Sequence, residues 1–353
     1  MPLTTRPLTL DGAYGEGGAS LVRTALVMSA LTQTPVTVQN VRGAMRQGGL
    51  AAEDLTLLSA LGSCCDAEVS GAEFRSREFS FVPQGRPHAL KEPISHSNVP
   101  ESDPSVAAMV VLNALLPVLC QTKAYSTVVA EGETYGHRIL TYDYYEQVAL
   151  SAYRAMGVHA YPHLIVAGYG KGPAARSNST SSRAFLTASI GRNVAPSKAR
   201  LHGSPSPRCR RGSESAAWLT LRGSLGARES NSMWSTRSCL RSIRACSVTV
   251  WGQFATARGG ATAKGERGIR VESVVQSAFG AFLEWYSSGS TVDEFLADQV
   301  LVALAFAEGD SALRLHRVTQ RLQTMVWVIK QFLPIHITLR GGLGEPGELT
   351  VRR

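Results

Sequence analysis

The stretch LDGAYGEGGASLVRTALVMSALT, Leu10 to Thr32, reads as the end of a short strand (Leu8–Leu10), a glycine-rich loop and a helix. Leu21, Val22, Ala25, Leu26 and Ser29 fall on one face of that helix at i, i+3/i+4 spacing. The loop Asp11–Gly18 lets backbone approach closely, and a helix start just beyond it offers free N–H groups to an anion. It is neither a P-loop nor a clean GxGxxG, so generic nucleotide motifs do not cover it. Glu16 could hold a metal or a hydroxyl, and Arg23, two turns in, could reach a phosphate. A plain glycine turn with an acid stabilised by the helix dipole explains the same residues.

Outward from this stretch, strands and helices alternate. Val36–Val41 reads as a strand and Asp54–Leu61 as helical; Glu68–Ser70 and Phe79–Val82 read as strands. Val106–Leu119 is an almost wholly apolar helix, which places it between layers. Thr127–Ala130 reads as a strand, Tyr144–Met156 as a helix ended by Gly157, and His163–Ala167 as a strand. Val271, Val274, Val275, Ala278, Phe282 and Trp285 stripe one long helix. Thr291–Glu294 reads as a capping box for the next, which runs to about Phe306. A helical run to Phe332 and strands Ile335–Leu339 and Glu348–Val351 close the chain. The pattern predicts an α/β class fold, an α+β sandwich with helices on sheets.

The 353 residues suffice for two domains, with 44% hydrophobic residues to fill a core. No apolar run approaches the roughly 20 residues of a membrane span, and the N-terminus lacks a signal-like apolar region. Six cysteines, Cys64, Cys65, Cys120, Cys209, Cys239 and Cys246, show no CxxC pair, which points to a cytoplasmic protein without structural zinc. The net charge of +9 suggests a polyanion partner. Its distribution says otherwise. Residues 173–247 hold 12 Arg, one Lys and two acids, leaving 23 bases against 25 acids elsewhere. That segment also contains 17 Ser and three Cys and follows neither helical nor strand periodicity. It is either a basic arm that grips phosphates or a stretch translated out of frame; its Arg/Ser composition with scattered Cys and Trp favours the second.

The opening stretch resembles the start of the RNA 3′-terminal phosphate cyclase family, bacterial type, whose pattern is DG-x-x-GEGGGQ-x-x-RTA. The resemblance continues through NVRGAMRQGGLAAEDL, the apolar helix ending ALLP at Pro117, and YDYYEQVALSAYRAMGV to GYGKG at Gly172. It resumes at GGATAKGERG, STVDEFLADQVLVALA and LQTMVWVIKQFLP, so it covers about residues 8–172 and 256–340. It implies a large domain of three similar βα units (1–175 and 263–353) with a smaller α/β domain inserted at 176–262. It also implies ATP and Mg²⁺, RNA 3′-phosphate ends as partners, and a 2′,3′-cyclic phosphate as product, formed through enzyme–AMP and RNA–adenylate intermediates. Oligomeric state stays open.

Residue by residue, the resemblance puts Glu16, Arg23, Arg42, Asn113, Phe295, Asp298 and Gln299 at nucleotide-binding positions, with Glu16 also a metal candidate. Ala19 and Ser20 replace the third glycine and the Gln, Met45 stands where a second Arg is expected, and Glu53-Asp54 replaces a Gln-His pair. The family's nucleophilic histidine falls on Arg321, anchored by Leu322, Thr324 and Phe332-Leu333-Pro334. A guanidinium stays protonated and cannot attack phosphorus. His316 lies five residues away on another face, and His137 and His163 sit in no motif. Three functions therefore follow: a cyclase, a non-catalytic RNA- or ribosome-assembly-associated binder on the same fold, or a frame-damaged chain without function.

Overall fold

The computed structural model describes residues 7–90, 94, 107–122, 124, 126–130, 132–136, 140–164, 168, 186–192, 233–242, 245–253, 257–265 and 268–352. Most of the basic segment 173–247, the GYGKG motif apart from Gly168, and His137 lie outside these residues.

The first unit is β1 (Leu8–Asp11), α1 (Ala19–Thr32), β2 (Val36–Gln39), α2 (Ala52–Cys65), β3 (Glu68–Ser70) and β4 (Phe79–Val82). Its sheet runs β1-β2-β4-β3, with β1 and β2 parallel and the other pairs antiparallel. The parallel pair is joined by α1 as a crossover, and β3 and β4 form the antiparallel end.

A second unit repeats the order. Ile94 donates its N–H to Val129 at 3.2 Å, in the place of a first strand. Then come α3 (Ala108–Leu119), β5 (Ser126–Ala130), α4 and the strands β6 (Val158–Leu164) and β7 (Leu186–Arg192), in sheet order β5-β7-β6. Helix α4 is built from Tyr142–Tyr144, a π-helical stretch Tyr145–Ala149 and Leu150–Ala155, and ends at Gly157 with φ +78°.

Next are β8 (Met233–Ser242), β9 (Ala245–Gln253), β10 (Arg258–Gly265) and α5 (Val271–Ser287). The strands form an antiparallel sheet, β10-β9-β8, and α5 lies on β9 and β10. Val248, Val250 and Ala261 face Val274, Val275, Ala278, Phe282 and Trp285 in an apolar cluster of their own. The stripe read from sequence is the face that is buried. Gly259 makes the layer close: a Cβ there would stand 2.5 Å from the Trp285 ring. Residue 263, the expected edge of an inserted domain, lies inside β10.

The third unit begins at Val292, which bridges in parallel to Arg258 of β10 and to Leu315. Helix α6 (Leu296–Phe306), β11 (Ser311–Leu315), α7 (Gln320–Phe332), β12 (His336–Arg340) and β13 (Gly347–Arg352) follow, in sheet order β11-β13-β12. Strand, helix, strand, helix, then an antiparallel pair with its second member inside is the order of the first and third units, and the described part of the second, from its first helix on, follows it. Residue identity alone did not reveal that repeat.

One large apolar cluster joins the three units, drawing Leu21 and Leu26 from α1, Leu57 from α2, Leu115 from α3, Leu301 from α6 and Ile329 from α7. Helix α3 contacts α1, α2, α6 and β5, which is why it is apolar almost all round. The capping box expected at Thr291–Glu294 does not form as such. Asp293 caps α6 instead, accepting from the N–H groups of Phe295 (2.8 Å) and Leu296 (2.9 Å), while the Thr291 hydroxyl bonds the Arg314 carbonyl. Asp293 is drawn inward by two further donors, the Tyr144 hydroxyl at 2.7 Å and the Gly260 N–H at 2.8 Å. No helix among the described residues is long and apolar enough to cross a membrane.

Candidate active site

The glycine loop and the start of α7 meet, although 300 residues separate them. Gly15 (φ +65°) and Gly17 (φ +55°) turn the loop against α7 and the Ala44 region. The Glu16 N–H donates to the Thr324 hydroxyl at 3.0 Å, Gln320 donates to the Gly15 carbonyl at 3.1 Å, and Tyr14 stacks on Trp327 at 3.9 Å. Glu16 then folds back onto the start of α1, accepting from the Ser20 N–H at 3.2 Å and from the Ser20 hydroxyl. The protein's own carboxylate thus occupies part of the helix terminus that could have received a ligand anion.

Beside it lies a cavity of about 260 Å³ between α1, α3, α6 and α7. Arg23, Asn113, Asp298, Gln299 and Arg321 line its polar side, and Val27, Val110, Pro117, Val302 and Met325 its apolar side. Four of the residues expected at nucleotide positions thus converge with Arg321, at the expected nucleophile position, from four helices, and Glu16 joins them through Arg321. The Arg321 guanidinium spans the two acids, Nε 3.8 Å from Glu16 Oε2 and Nη1 3.6 Å from Asp298 Oδ2, and its side chain is 39% exposed.

Asp298 is buried and accepts from the Thr319 hydroxyl at 3.3 Å; burial pushes its carboxyl up to about 7, while Arg321 and Thr319 pull it down. Asn113 donates to Gln299 Oε1 at 2.8 Å, and its own buried Oδ1 has no partner among the described residues. Arg23 makes no hydrogen bond or ion pair to a described residue; burial lowers its pKa, opposed by Asp54 and Glu53. An unpaired guanidinium and an unpaired amide oxygen in one cavity are the groups a polar ligand would satisfy.

Three expected residues are not on the cavity wall: Glu16, which reaches it only through Arg321, Arg42 and Phe295. Arg42 is clamped by Asp54 (Nη2–Oδ2 2.6 Å, Nε–Oδ2 3.1 Å) and Glu53 (3.2 Å), a pairing the sequence could not announce. Burial lowers the Arg42 pKa and the two acids more than restore it. Asp54 is wholly buried; burial raises its pKa against the pull of Arg42. Phe295, 45% exposed at the start of α6, is not on the lining either. Sequence reasoning missed Tyr153, which lines the cavity and donates to the Gln299 carbonyl at 2.5 Å, and Thr319, which caps α7 through the Leu322 N–H at 3.0 Å. Thr319 could have been found as an N-cap residue just ahead of the helical run; nothing local marked Tyr153.

A family model described as RNA 3′-terminal phosphate cyclase matches residues 14–339. The chain belongs to this family. It is 32% identical to the RNA 3′-terminal phosphate cyclase of Methylococcus capsulatus over 98% of this chain and 96% of that one. It is 30% identical to the protein of the same name from Pyrococcus abyssi over 98% of this chain and 99% of the other. The expectation drawn from the motifs is confirmed, and the family is one of ATP-dependent enzymes. The mixed α/β architecture agrees with the fold it implied.

No group of three or more His, Cys, Asp or Glu side chains able to hold a metal ion occurs among the described residues. Glu16, the metal candidate, already accepts from Ser20 and faces Arg321; of the two acids on the lining, Asp298 faces the same guanidinium and Glu53 pairs with Arg42. These residues do not fit a resident Mg²⁺.

Proposed function

We propose that this chain converts an RNA 3′-phosphate to a 2′,3′-cyclic phosphate, with ATP seated in the cavity between α1, α3, α6 and α7. The observation that carries the proposal is the convergence of Arg23, Asn113, Asp298 and Gln299 on one cavity whose unpaired groups are a cation and an amide oxygen. In this proposal Arg23 faces ATP phosphate, and Asn113, Asp298 and Gln299 hold the nucleoside. Arg42 acts from outside the wall by fixing Glu53 and Asp54. Phe295 stays at the rim of α6, available to a base that reaches past the cavity. Mg²⁺ accompanies the phosphates of ATP, because the protein's own acids are taken. We also place the protein in the cytoplasm.

Arg321 favours a second function, an RNA or ribosome-assembly binder without turnover, since a guanidinium is no nucleophile. Incubation of the purified chain with ATP, MgCl₂ and an oligoribonucleotide ending in a 3′-phosphate separates the two. The cyclase proposal expects a terminal phosphate that becomes resistant to phosphatase in an ATP-dependent way. RNA binding with no change at the end, under conditions where the protein is folded, would replace it by the second function.

A further inference from the structure

We infer that Tyr14, backed by Trp327, is a stacking platform for the base of the RNA's 3′-terminal nucleotide. The inference rests on the RNA-end function proposed above and places the substrate beside the nucleotide cavity.

The platform is an open ring on a fixed support. Tyr14 stacks on Trp327 with ring centroids 3.9 Å apart and an interplanar angle of 20°, yet 43% of Tyr14 stays exposed. Trp327 packs against the main apolar cluster from α7, so the indole behind Tyr14 is held by the core. The loop is held as well. The Tyr14 N–H donates to the Asp11 carbonyl at 3.1 Å, and the Tyr14 carbonyl accepts from the Gly17 N–H at 2.9 Å. The next two residues, Gly15 and Glu16, are bonded to Gln320 and Thr324 of α7. An aromatic ring with one face covered and much of its surface in water offers a flat π-surface at little cost in ordering, which is what an unstacked base needs.

Its place points to RNA. Arg321 stands between two sides of the mouth, with Glu16 of the glycine loop at Nε and Asp298 of α6 at Nη1. In the function proposed above, the nucleoside of ATP takes the α6 side, with Asn113, Asp298 and Gln299. An RNA terminal phosphate that meets the partly open Arg321 then has the loop side for the rest of its nucleotide. Tyr14 lies on that side, two residues before Glu16, so their Cα atoms are at most about 7 Å apart. Only one ribose separates a 3′-phosphate from its base, which brings the base to the loop. Stacking accepts any base, because each has a π-face, and it is uncharged, so it adds nothing to salt dependence. Both properties suit recognition of an end without recognition of a sequence.

The test uses the full chain and two oligoribonucleotides ending in a 3′-phosphate, one with a terminal uracil and one whose terminal ribose carries no base. The wild type should bind the abasic end about tenfold more weakly. Tyr14→Ala should bind both ends alike, at the abasic level, and Tyr14→Phe should restore the difference. ATP affinity should stay unchanged in each variant. A Tyr14→Ala protein that still distinguishes the two ends as the wild type does overturns the platform. So does one that loses ATP affinity while RNA binding is unaffected, since the ring would then serve the adenine of ATP. Should Tyr14→Ala melt before binding can be read, Tyr14→Leu takes its place, covering Trp327 without a π-face, and the same outcomes decide. A base effect that disappears in the variant, with a terminal phosphate that stays open to phosphatase when ATP is present, supports the platform while removing the cyclase function.

Discussion

At the scale of single residues, Asp298 has the clearest measurable consequence. Burial holds its carboxyl at about 7 against an ordinary 3.8, so between those values the folded protein binds a proton that the unfolded chain does not. The stability this contributes is fully present below about pH 4 and is lost as pH rises through about 7. Asn at this position is neutral throughout. Urea denaturation at pH 5 and pH 8 should show the wild type losing about 2–3 kcal/mol more than Asp298→Asn over that interval. Equal losses would mean that Arg321 holds the carboxylate ionised across the range. Glu16, Arg23, Asn113, Asp298, Gln299 and Arg321 each belong to a motif whose neighbours identify it, and the structure brings them together around one cavity. Arg42 lies off the cavity wall for a physical reason: it is held by Asp54, a fully buried acid, and burial cannot be read from a residue name.

Among the elements, the joint between the glycine loop and α7 governs the cavity mouth, because Glu16 and Arg321 come from its two sides. Gly15 adopts φ +65°, and a Cβ there would stand 2.2 Å from the Thr324 hydroxyl oxygen, the atom that receives the Glu16 N–H. Gly15→Ala therefore meets both a left-handed backbone and a collision. Gly157 supplies the control: its φ is +78°, but nothing lies within 4 Å of the missing Cβ. Gly157→Ala should cost about 1–2 kcal/mol from the backbone alone, and Gly15→Ala distinctly more, read as thermal melting shifts. Only Gly15→Ala should also weaken ATP binding. Equal shifts would mean that the loop yields without disturbing α7. Most helices and strands were legible from periodicity, since each presents one apolar face to a shared core. Strand β11, Ser-Ala-Leu-Arg-Leu, escaped because five residues with one clear polar position give period-two alternation too little length. The unit repeat escaped as well, because strand order is set by partners far apart in sequence.

On the scale of the whole molecule, the excess positive charge and the RNA-end site belong to different parts of the chain. Outside residues 173–247 the protein carries 23 bases and 25 acids, and of the three site arginines only Arg23 is free of a protein carboxylate. Strands β7 and β8 and the first residues of β9 fall in the basic segment. We propose that the segment takes no part in RNA binding, and salt dependence can decide this. Each phosphate neutralised on a single strand contributes about −0.7 to the slope of log affinity against log salt. With Arg23 given to ATP, the open side of Arg321 accounts for about one contact, so binding of a 3′-phosphorylated oligoribonucleotide should give a slope no steeper than about −1. Twelve arginines in a grasping arm would drive it to about −5 or beyond. A steep slope that becomes shallow when those arginines are changed to serine would show the segment to be a working arm and end the out-of-frame explanation. A shallow slope confines recognition to the terminal phosphate, which is the chemistry the partly open Arg321 guanidinium can read.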